Sequence, residues 1–261
     1  VDHPRPKSVR LHVPRSISKF RNQRAADVLV ETLSTENDGA IRYKAIRGLG
    51  RLISHGEVRV PVGLVEDRIQ MELTEYLRML SHWCPISESL DGLSSRQQSS
   101  GELLANLIED KMRQAVERAF RLLQIAHPME SIRSVALAIQ SNDKKVRAQA
   151  QEYIDALTLA SGLSQVRELL RIIGDDLPPR QRLNRARAHL EAPPQDASEA
   201  IRALIRESDE ALAGLAAYHA LELGEQALRD DVVLVSEERS RGGSLKSFIE
   251  LLAAREEPTV L

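Results

Sequence analysis

The segment Ser141–Thr158, SNDKKVRAQAQEYIDALT, indicates how this chain folds. Asp143 stands where a helix N-cap belongs, because a carboxylate there accepts hydrogen bonds from the free N–H groups of the first turn. Four apolar residues then recur at spacings of four, four and three, namely Val146, Ala150, Ile154 and Leu157. This spacing places them on one face, so the segment predicts a single amphipathic helix.

The same pattern occurs twice more, in NDGAIRYKAIRGLGRL from Asn37 and in SDEALAGLAAYHALEL from Ser208. Aligned without gaps, the three copies share a capping aspartate and four apolar columns. The columns are Asp38/Asp143/Asp209, Ile41/Val146/Leu212, Ala45/Ala150/Ala216, Leu49/Ile154/Ala220 and Leu52/Leu157/Leu223. Each copy follows another helical segment after a short turn, which predicts stacked antiparallel helix pairs. The intervals between the three aspartates differ, so the array is predicted to be irregular.

Composition agrees with a helical core. The chain has 261 residues, of which 42% are hydrophobic and only 3% aromatic, whereas strands favour aromatic and β-branched residues. The formal net charge of −2 gives the whole chain no general attraction to nucleic acid or an anionic membrane. A single cysteine, Cys84, excludes an intrachain disulfide. Because the chain begins at Val1 and shows no signal peptide, we expect a cytoplasmic fragment of a longer protein.

The predicted fold class is all-α, an irregular α-solenoid of stacked antiparallel helix hairpins. An extended lead-in at 1–8 precedes a single repeat domain at 9–255, and residues 256–261 form a tail. Two long helices occupy about 62–126 and are separated by an exposed loop at 87–100. Besides the helix in Ser141–Thr158, the predicted helices are Val9–Phe20, Gln23–Leu33, Gly39–Ile53, Val62–Cys84, Glu102–Ala126, Met129–Gln140, Leu163–Ile173, Pro179–Leu190, Ala197–Arg206, Asp209–Leu223 and Leu245–Ala254. Pro14 would either kink the first of these helices or mark its start, and Asn22 would cap the second.

Three local features of the sequence carry specific structural expectations: two glycines inside a helix, two large apolar residues and one strand-like run. Gly48 and Gly50 lie inside a predicted helix, where each costs up to about 1 kcal/mol against Ala, and we expect a closely approaching neighbour helix to compensate. Phe20 and Leu103 are expected to be buried. The run Val232–Val235 is the only strand-like stretch, and a charged loop is expected after it.

The motif Asp-x-x-(Ile/Val)-Arg-x-x-Ala, present at Asp38–Ala45 and Asp143–Ala150, resembles HEAT and armadillo-type helical repeats. In such repeats the Asp and Arg commonly form a ladder between successive turns. Ala213 replaces the arginine in the third copy, so this ladder is expected to stop there.

A narrower resemblance covers roughly Val9–Leu157 and is carried by VRLHVPRSISKF, IRYKAIRGLGRL and ERAFRLLQIAHPMESIRSVALAIQSNDKKVRAQAQEYIDAL. These segments resemble the cytosolic HEAT region of bacterial membrane proteins related to ATP/ADP antiporters. In that family the region follows a transporter-like helix bundle and often precedes a cyclic-nucleotide-binding domain. The resemblance implies a transporter-associated scaffolding or regulatory domain and transfers no catalytic residue.

Candidate reactive groups all have simpler explanations. The histidines are scattered singly and no Cys-x-x-Cys occurs, so no metal site is predicted. His82 and Cys84 would form a thiolate–imidazole pair, but an ordinary buried thiol at a helix end is favoured. The pairs Asp175–Asp176 and Asp230–Asp231 lie at predicted helix ends, where capping explains them. Arg241–Ser244 lacks the strand and lysine of a phosphate loop. No catalytic residue and no cofactor is predicted.

The strongest local charge feature is a set of arginines in two neighbouring helices. The candidate partner-binding residues are Arg167, Arg171, Arg180, Arg182, Arg185 and Arg187. Two interpretations remain. The favoured one is a solvated helix face whose arginine stems pack on the core, and the other is a contact with phosphates or an acidic partner.

Three classes of function follow from these observations. The first is a non-enzymatic interaction domain that binds a protein partner or an adjacent domain of its own chain, with membrane contact only through flanking segments. The second is a nucleic-acid-binding protein of the alkylpurine DNA glycosylase type. It would need aromatic groups and a carboxylate at a basic face, whereas this chain has one Trp and no basic excess. The third, a helical-repeat lyase, lacks a recognisable constellation.

Overall fold

The computed structural model describes residues 6–56, 58–139, 141, 143–160 and 163–241. Across these ranges the regular structure is helical and contains no strand, so the all-α prediction is confirmed. The helices are α1 (Lys7–Arg10), α2 (Val13–Ile17), α3 (Gln23–Thr35), α4 (Gly39–Ser54), α5 (Val62–Glu88), α6 (Ser95–Ala126), α7 (Ile132–Ile139), α8 (Lys144–Ala160), α9 (Ser164–Gly174), α10 (Pro179–Ala186), α11 (Ala197–Ile205), α12 (Glu210–Leu223) and α13 (Gln226–Arg241), with a 3₁₀ turn at Arg187–His189. None of them, within the part of the chain described, is both long and apolar enough to cross a membrane.

The helices gather into two compact units. Among the described residues, the amino-terminal unit comprises 6–77 and 112–190, and the carboxy-terminal unit comprises 78–111 and 191–241. The long helices α5 and α6 each contribute residues to both units. The sequence-based division, with one domain at 9–255, stays a prediction.

The three repeated aspartates cap their helices as predicted. The Oδ1 atom of Asp38 accepts hydrogen bonds from the backbone N–H groups two and three residues later, at 2.9 and 3.3 Å. Asp209 accepts the equivalent pair at 3.1 Å each. Asp143 accepts from the N–H two residues later at 2.8 Å. Because a cap of this kind contributes about 1 kcal/mol, each copy of the pattern fixes its own helix start.

The central apolar columns are buried in all three copies. Ala45, Ala150 and Ala216 form one column, and Leu49, Ile154 and Ala220 form the next. The outer columns are less uniform, since Val146, Leu157 and Leu223 are only half-buried. Each capped helix packs against the helix that precedes it, in the pairs α3–α4, α7–α8 and α11–α12.

Gly48 and Gly50 differ in their surroundings although they are two residues apart. A Cβ atom on Gly48 would lie 2.8 Å from Cδ1 of Leu29 and 3.2 Å from the carbonyl oxygen of Pro14. The predicted close approach is therefore confirmed at Gly48, where α2 and α3 meet α4. A Cβ atom on Gly50 would meet no atom of another described residue within 4 Å, so the same prediction is wrong there.

This difference predicts opposite effects of one substitution at two neighbouring sites. We expect Gly50→Ala to raise the free energy of unfolding by about 0.5–1 kcal/mol, because Ala loses less backbone entropy in a helix. Gly48→Ala should lower it by about 1–3 kcal/mol, because the added methyl group forces the backbone of Pro14 or the buried Leu29 to move. Urea unfolding of both variants measures the two values. A stabilised Gly48→Ala would contradict the packing of α2 on α4.

The predicted loop at 87–100 is wrong in extent. Helix α5 continues through Pro85 to Glu88, and α6 begins at Ser95, so only 89–94 lie outside helices. The backbone N–H and the hydroxyl of Ser94 both donate to Oε1 of Gln97, at 3.1 and 2.8 Å. The bond from the Ser94 backbone N–H to the Gln97 side chain is one of the two bonds of a Ser-x-x-Gln capping box. Helix α6 therefore starts within a segment whose serines suggested a loop.

Further expectations also need correction. Helix α1 already begins at Lys7, within the predicted lead-in. Of the two alternatives for Pro14, the helix start is confirmed, because Pro14 lies in the first turn of α2. Phe20 is 72% exposed and Leu103 56% exposed, against the expected burial. The run Val232–Val235, predicted to be strand-like, is helical and lies within α13. Its two buried residues, Val232 and Val235, are three positions apart, which is the spacing of one helix face. The predicted helix at 245–254 and the tail at 256–261 lie outside the described residues.

Candidate functional site

A buried ion-pair triad joins three helices of the amino-terminal unit. The carboxylate of Glu72 on α5 accepts hydrogen bonds from Nε of Arg42 at 2.7 Å and from Nε of Arg118 at 2.8 Å. All three side chains are nearly inaccessible to water, with Glu72 only 1% exposed. The expected ladder between repeat aspartates and arginines does not describe Arg42, whose partner is Glu72. The triad fixes α4 and α6 against α5 at this level of the unit.

Arg42 also explains why the repeat motif carries an arginine. Its guanidinium donates to the backbone carbonyl of Asn37 at 2.6 Å, in the turn before α4. Arg147, the equivalent residue in the second copy, donates to the carbonyl of Ser141 at 2.8 Å, in the turn before α8. In both copies the arginine therefore satisfies a carbonyl in the turn that precedes its own helix.

An aromatic and cationic cluster lies on helices α4 and α6, which the triad also joins. The ring of Tyr43 on α4 is approached by the guanidinium carbons of Arg47 and Arg121, which lie 5.8 and 5.0 Å from its centroid. Both distances are within the range of cation–π attraction. Glu117 accepts hydrogen bonds from Arg121 at 2.8 Å and from the Tyr43 hydroxyl at 3.4 Å. We call Tyr43, Arg47, Glu117 and Arg121 the Tyr43 cluster.

The Tyr43 cluster is cationic and accessible. Arg47 and Arg121 are exposed, and Tyr43 is half-buried. Arg51, one turn further along α4, is also exposed. Two arginines and one carboxylate leave a net positive charge on a rigid helical surface. Sequence spacing identifies Tyr43 and Arg47 as neighbours on α4, but it does not bring in Arg121 from α6, which is distant in the chain.

The predicted arginine patch is less available than its sequence suggested. Arg182 is half-buried and donates to the Tyr76 hydroxyl at 2.9 Å and to the Asp175 carbonyl at 3.0 Å. Arg182 thereby joins α10 to α5, and its role as a partner contact stays a prediction. Arg171 forms a two-point ion pair with Asp155, with Nε at 2.9 and 2.8 Å from the carboxylate oxygens.

The remaining members of that patch divide in the same way. Arg185 pairs with the carboxylate of Asp175. Arg180 and Arg187 are exposed and Arg167 is half-buried. Neighbouring carboxylates therefore compensate part of the charge that the sequence concentrates here. Whether the six residues bind a partner stays a prediction, and the Tyr43 cluster offers the better-defined cationic surface.

The other candidate groups have structural roles. His82 and Cys84 are both buried within α5, and Nδ1 of His82 donates to the Arg78 carbonyl at 2.7 Å, so this pair does not stand at a helix end. Asp176 forms ion pairs with Lys144 and Arg147, rather than a cap. Asp231, likewise, accepts from Arg202 and Arg206 at 2.6 Å each, which holds α13 against α11. Among the described residues, no group of three His, Cys, Asp or Glu side chains is arranged to hold a metal ion.

A buried Ser–His contact lies in the carboxy-terminal unit. Nδ1 of His219 on α12 is 2.7 Å from Oγ of Ser100 on α6, and this hydroxyl donates to the Gln97 carbonyl at 2.9 Å. Nε2 of His219 meets no hydrogen-bond partner in the part of the chain described. Burial lowers the pKa of His219 below its ordinary value, and the nearby Glu222 only partly opposes this. The fully buried pair is inaccessible to a substrate, so it is structural.

His219 predicts that stability falls in mild acid. Its unfolded-state pKa is near 6.5 and its folded-state pKa is lower, so the unfolded chain binds more protons between these two values. The free energy of unfolding should therefore decrease as pH falls from about 7.5 to about 5.5. We expect His219→Leu to reduce this decrease, as measured by urea unfolding at both pH values, with the exposed His55→Leu as control. An unchanged pH dependence in His219→Leu would contradict this account.

Comparisons with known protein families, with curated proteins and with solved structures found no match to this chain. The resemblances to HEAT repeats and to antiporter-related membrane proteins therefore stay predictions. The candidate function rests on the geometry of the surface itself.

Proposed function

We propose that this chain is a non-enzymatic protein-interaction domain that binds an acidic segment through the Tyr43 cluster. The observation that carries the proposal is the placement of two exposed guanidinium groups, from Arg47 and Arg121, 5.8 and 5.0 Å from the centroid of the Tyr43 ring. Tyr and Arg are the residue types that dominate binding energy at protein interfaces. The acidic segment belongs either to a partner protein or to an adjacent domain of the same chain, in a scaffolding or regulatory role.

The rigidity of this surface supports the proposal. Arg42 and Arg118 flank the cluster in sequence and are locked below it by Glu72, which is only 1% exposed. Tyr43 and Arg121 therefore stand on helices whose spacing is fixed before any partner arrives. A preorganised surface avoids part of the entropy that binding would otherwise cost.

We further propose that the helix pairs are irregular HEAT-like repeats of an α-solenoid. Three pairs with the same aspartate cap and the same two central buried columns support this proposal. A solenoid presents the second helix of each pair along a continuous surface, and such surfaces bind extended partners. Tyr43 and Arg47 lie on the second helix of the first pair, as this proposal requires.

The test is a titration with a short fluorescein-labelled peptide of alternating Asp and Glu, followed by fluorescence anisotropy. The wild-type chain should bind it, and a matched peptide of Asn and Gln should bind far more weakly. We expect Arg47→Glu and Arg121→Glu each to weaken binding about tenfold, the equivalent of about 1.4 kcal/mol. The control is Arg133→Glu on α7, which reverses an exposed charge outside the cluster.

Two results would contradict the proposal. Equal losses in Arg47→Glu, Arg121→Glu and Arg133→Glu would indicate only general charge attraction. Tighter binding of labelled duplex DNA than of the peptide, with the same dependence on Arg47 and Arg121, would favour the nucleic-acid alternative. Circular dichroism of each variant confirms that the helical fold is intact.

A further inference from the structure

An open apolar trough runs along the outer face of α1 and α2. It has a volume of about 530 Å³, and its apolar lining comes from Val9, Val13, Ile17 and Phe20. Phe20 is 72% exposed and Val9 is 47% exposed, whereas Val13 and Ile17 are half-buried. The residues are spaced three and four apart, so they form one continuous stripe on a helical segment.

The opposite side of this segment is firmly attached to the amino-terminal unit. Pro14 of α2 and Ser18, which directly follows α2, are buried next to Gly48 of α4. Helix α1 is held by two ion pairs, between Lys7 and Asp38 at 2.7 Å and between Arg10 and Glu36 at 2.6 Å. The stripe therefore faces outward because the other face is already occupied.

Asp38 is ionised when it forms the ion pair with Lys7 and accepts the two capping hydrogen bonds. Burial acts to raise the pKa of Asp38, but the Lys7 ammonium and the two capping N–H groups outweigh it, so that pKa lies below its ordinary value. The attachment of α1 therefore persists at neutral pH.

The charge of this region differs sharply from that of the chain. Residues 6–24 contain six lysines and arginines and no carboxylate, although the whole chain has a formal net charge of −2. Arg15, Lys19 and Arg21 are exposed and form no salt bridge with another residue that the structure describes. The whole-chain charge, which gave no attraction to anionic surfaces, conceals this local excess.

The tip of the trough is held in a costly backbone conformation. Arg21 has a φ of 47°, in the left-handed region that residues other than glycine rarely adopt. This turn directs the chain from α2 into α3 and leaves Phe20 exposed between Lys19 and Arg21. An exposed phenylalanine flanked by two exposed cations is the combination that favours the interface of an anionic bilayer.

We propose that the trough of α1 and α2 docks the amino-terminal unit on an anionic lipid surface. Phe20, Ile17 and Val9 enter the boundary between headgroups and acyl chains, while Lys19 and Arg21 contact anionic headgroups. The occupant is inferred from charge complementarity between these exposed cations and the anionic headgroups of a lipid surface. This contact is peripheral, and it is independent of the Tyr43 cluster.

The test is co-sedimentation of the chain with sucrose-loaded vesicles of phosphatidylcholine and phosphatidylserine, against vesicles of phosphatidylcholine alone. We expect binding to the anionic vesicles that weakens with added salt. Phe20→Ala should reduce the partition coefficient about tenfold, because a buried phenylalanine ring is lost from the bilayer. Lys19→Gln and Arg21→Gln should each reduce it about fivefold. Met129→Ala, which removes a side chain that is 93% exposed elsewhere in the unit, should have no effect.

A second readout reports insertion directly. The wild-type chain contains Trp83, so its emission spectrum is subtracted from that of each tryptophan variant. The remaining emission of Phe20→Trp should shift to shorter wavelength on anionic vesicles, whereas that of Met129→Trp should not. Lack of vesicle binding, or equal binding by wild type and Phe20→Ala, would overturn the proposal. A third result would also overturn it: an acidic amphipathic peptide binds the wild-type chain but not Phe20→Ala, while vesicles bind neither. The trough would then be a binding site for a protein segment and not for lipid.

Discussion

Glu72→Gln should lower the free energy of unfolding by about 3–5 kcal/mol, the largest effect we expect of any single substitution described. The change keeps the shape of the side chain but removes the charge between Arg42 and Arg118. Arg42 and Arg118, which are 8% and 5% exposed, would then be two buried cations without the carboxylate that neutralises them. Urea unfolding monitored by circular dichroism measures the loss.

Two controls separate the buried charge from ordinary loss of contacts. Glu117→Gln removes an exposed ion pair with Arg121 and should cost no more than about 1 kcal/mol. The triple variant Arg42→Met, Glu72→Leu, Arg118→Met removes more hydrogen bonds, yet it should lose less stability than Glu72→Gln, because no uncompensated charge remains. A loss below about 1 kcal/mol in Glu72→Gln would mean that water reaches the triad.

Ile154→Ala should lower the free energy of unfolding by about 2–5 kcal/mol. Ile154 is completely buried in α8 and occupies the same column as Leu49 and Ala220. Removing three carbon atoms forfeits their transfer from water and leaves a cavity between α8 and its neighbours α7 and α9. Denaturant unfolding of the variant gives the value directly.

The matched control is Leu137→Ala on α7, where the side chain is 66% exposed. We expect it to change stability by less than about 0.5 kcal/mol, as surface substitutions usually do. If Ile154→Ala were equally mild, the shared buried column of the three repeats would be wrong.

The repeated pattern predicted the helices that it contains. Asp38, Asp143 and Asp209 cap their helices because a cap depends on residues two or three positions away, and such local relations are readable in sequence. The errors arose where local signals compete. The serines near Ser94 suggested a loop, although the Gln97 side chain accepts from the Ser94 backbone N–H at the start of α6. Apolar periodicity alone did not place Phe20 outside the core.

The candidate surfaces depend on contacts that sequence does not encode locally. Glu72 meets arginines from α4 and α6, and Tyr43 meets Arg121 from α6, so neither cluster has a motif. Arg182 shows the reverse case. It belongs to the most conspicuous basic run of the sequence, yet its guanidinium is used inside the fold, on Tyr76 and a backbone carbonyl.

The proposed interaction surface is tested most directly by mapping where an acidic ligand sits. The labelled Asp–Glu peptide, carrying a photoreactive group at its centre, is cross-linked to the full chain and the products are identified by mass spectrometry. We predict adducts on α4 and α6 close to Tyr43, Arg47 and Arg121, and their loss in Arg47→Glu. Adducts confined to α9 and α10, or to α1 and α2, would contradict the assignment of the Tyr43 cluster as the binding site.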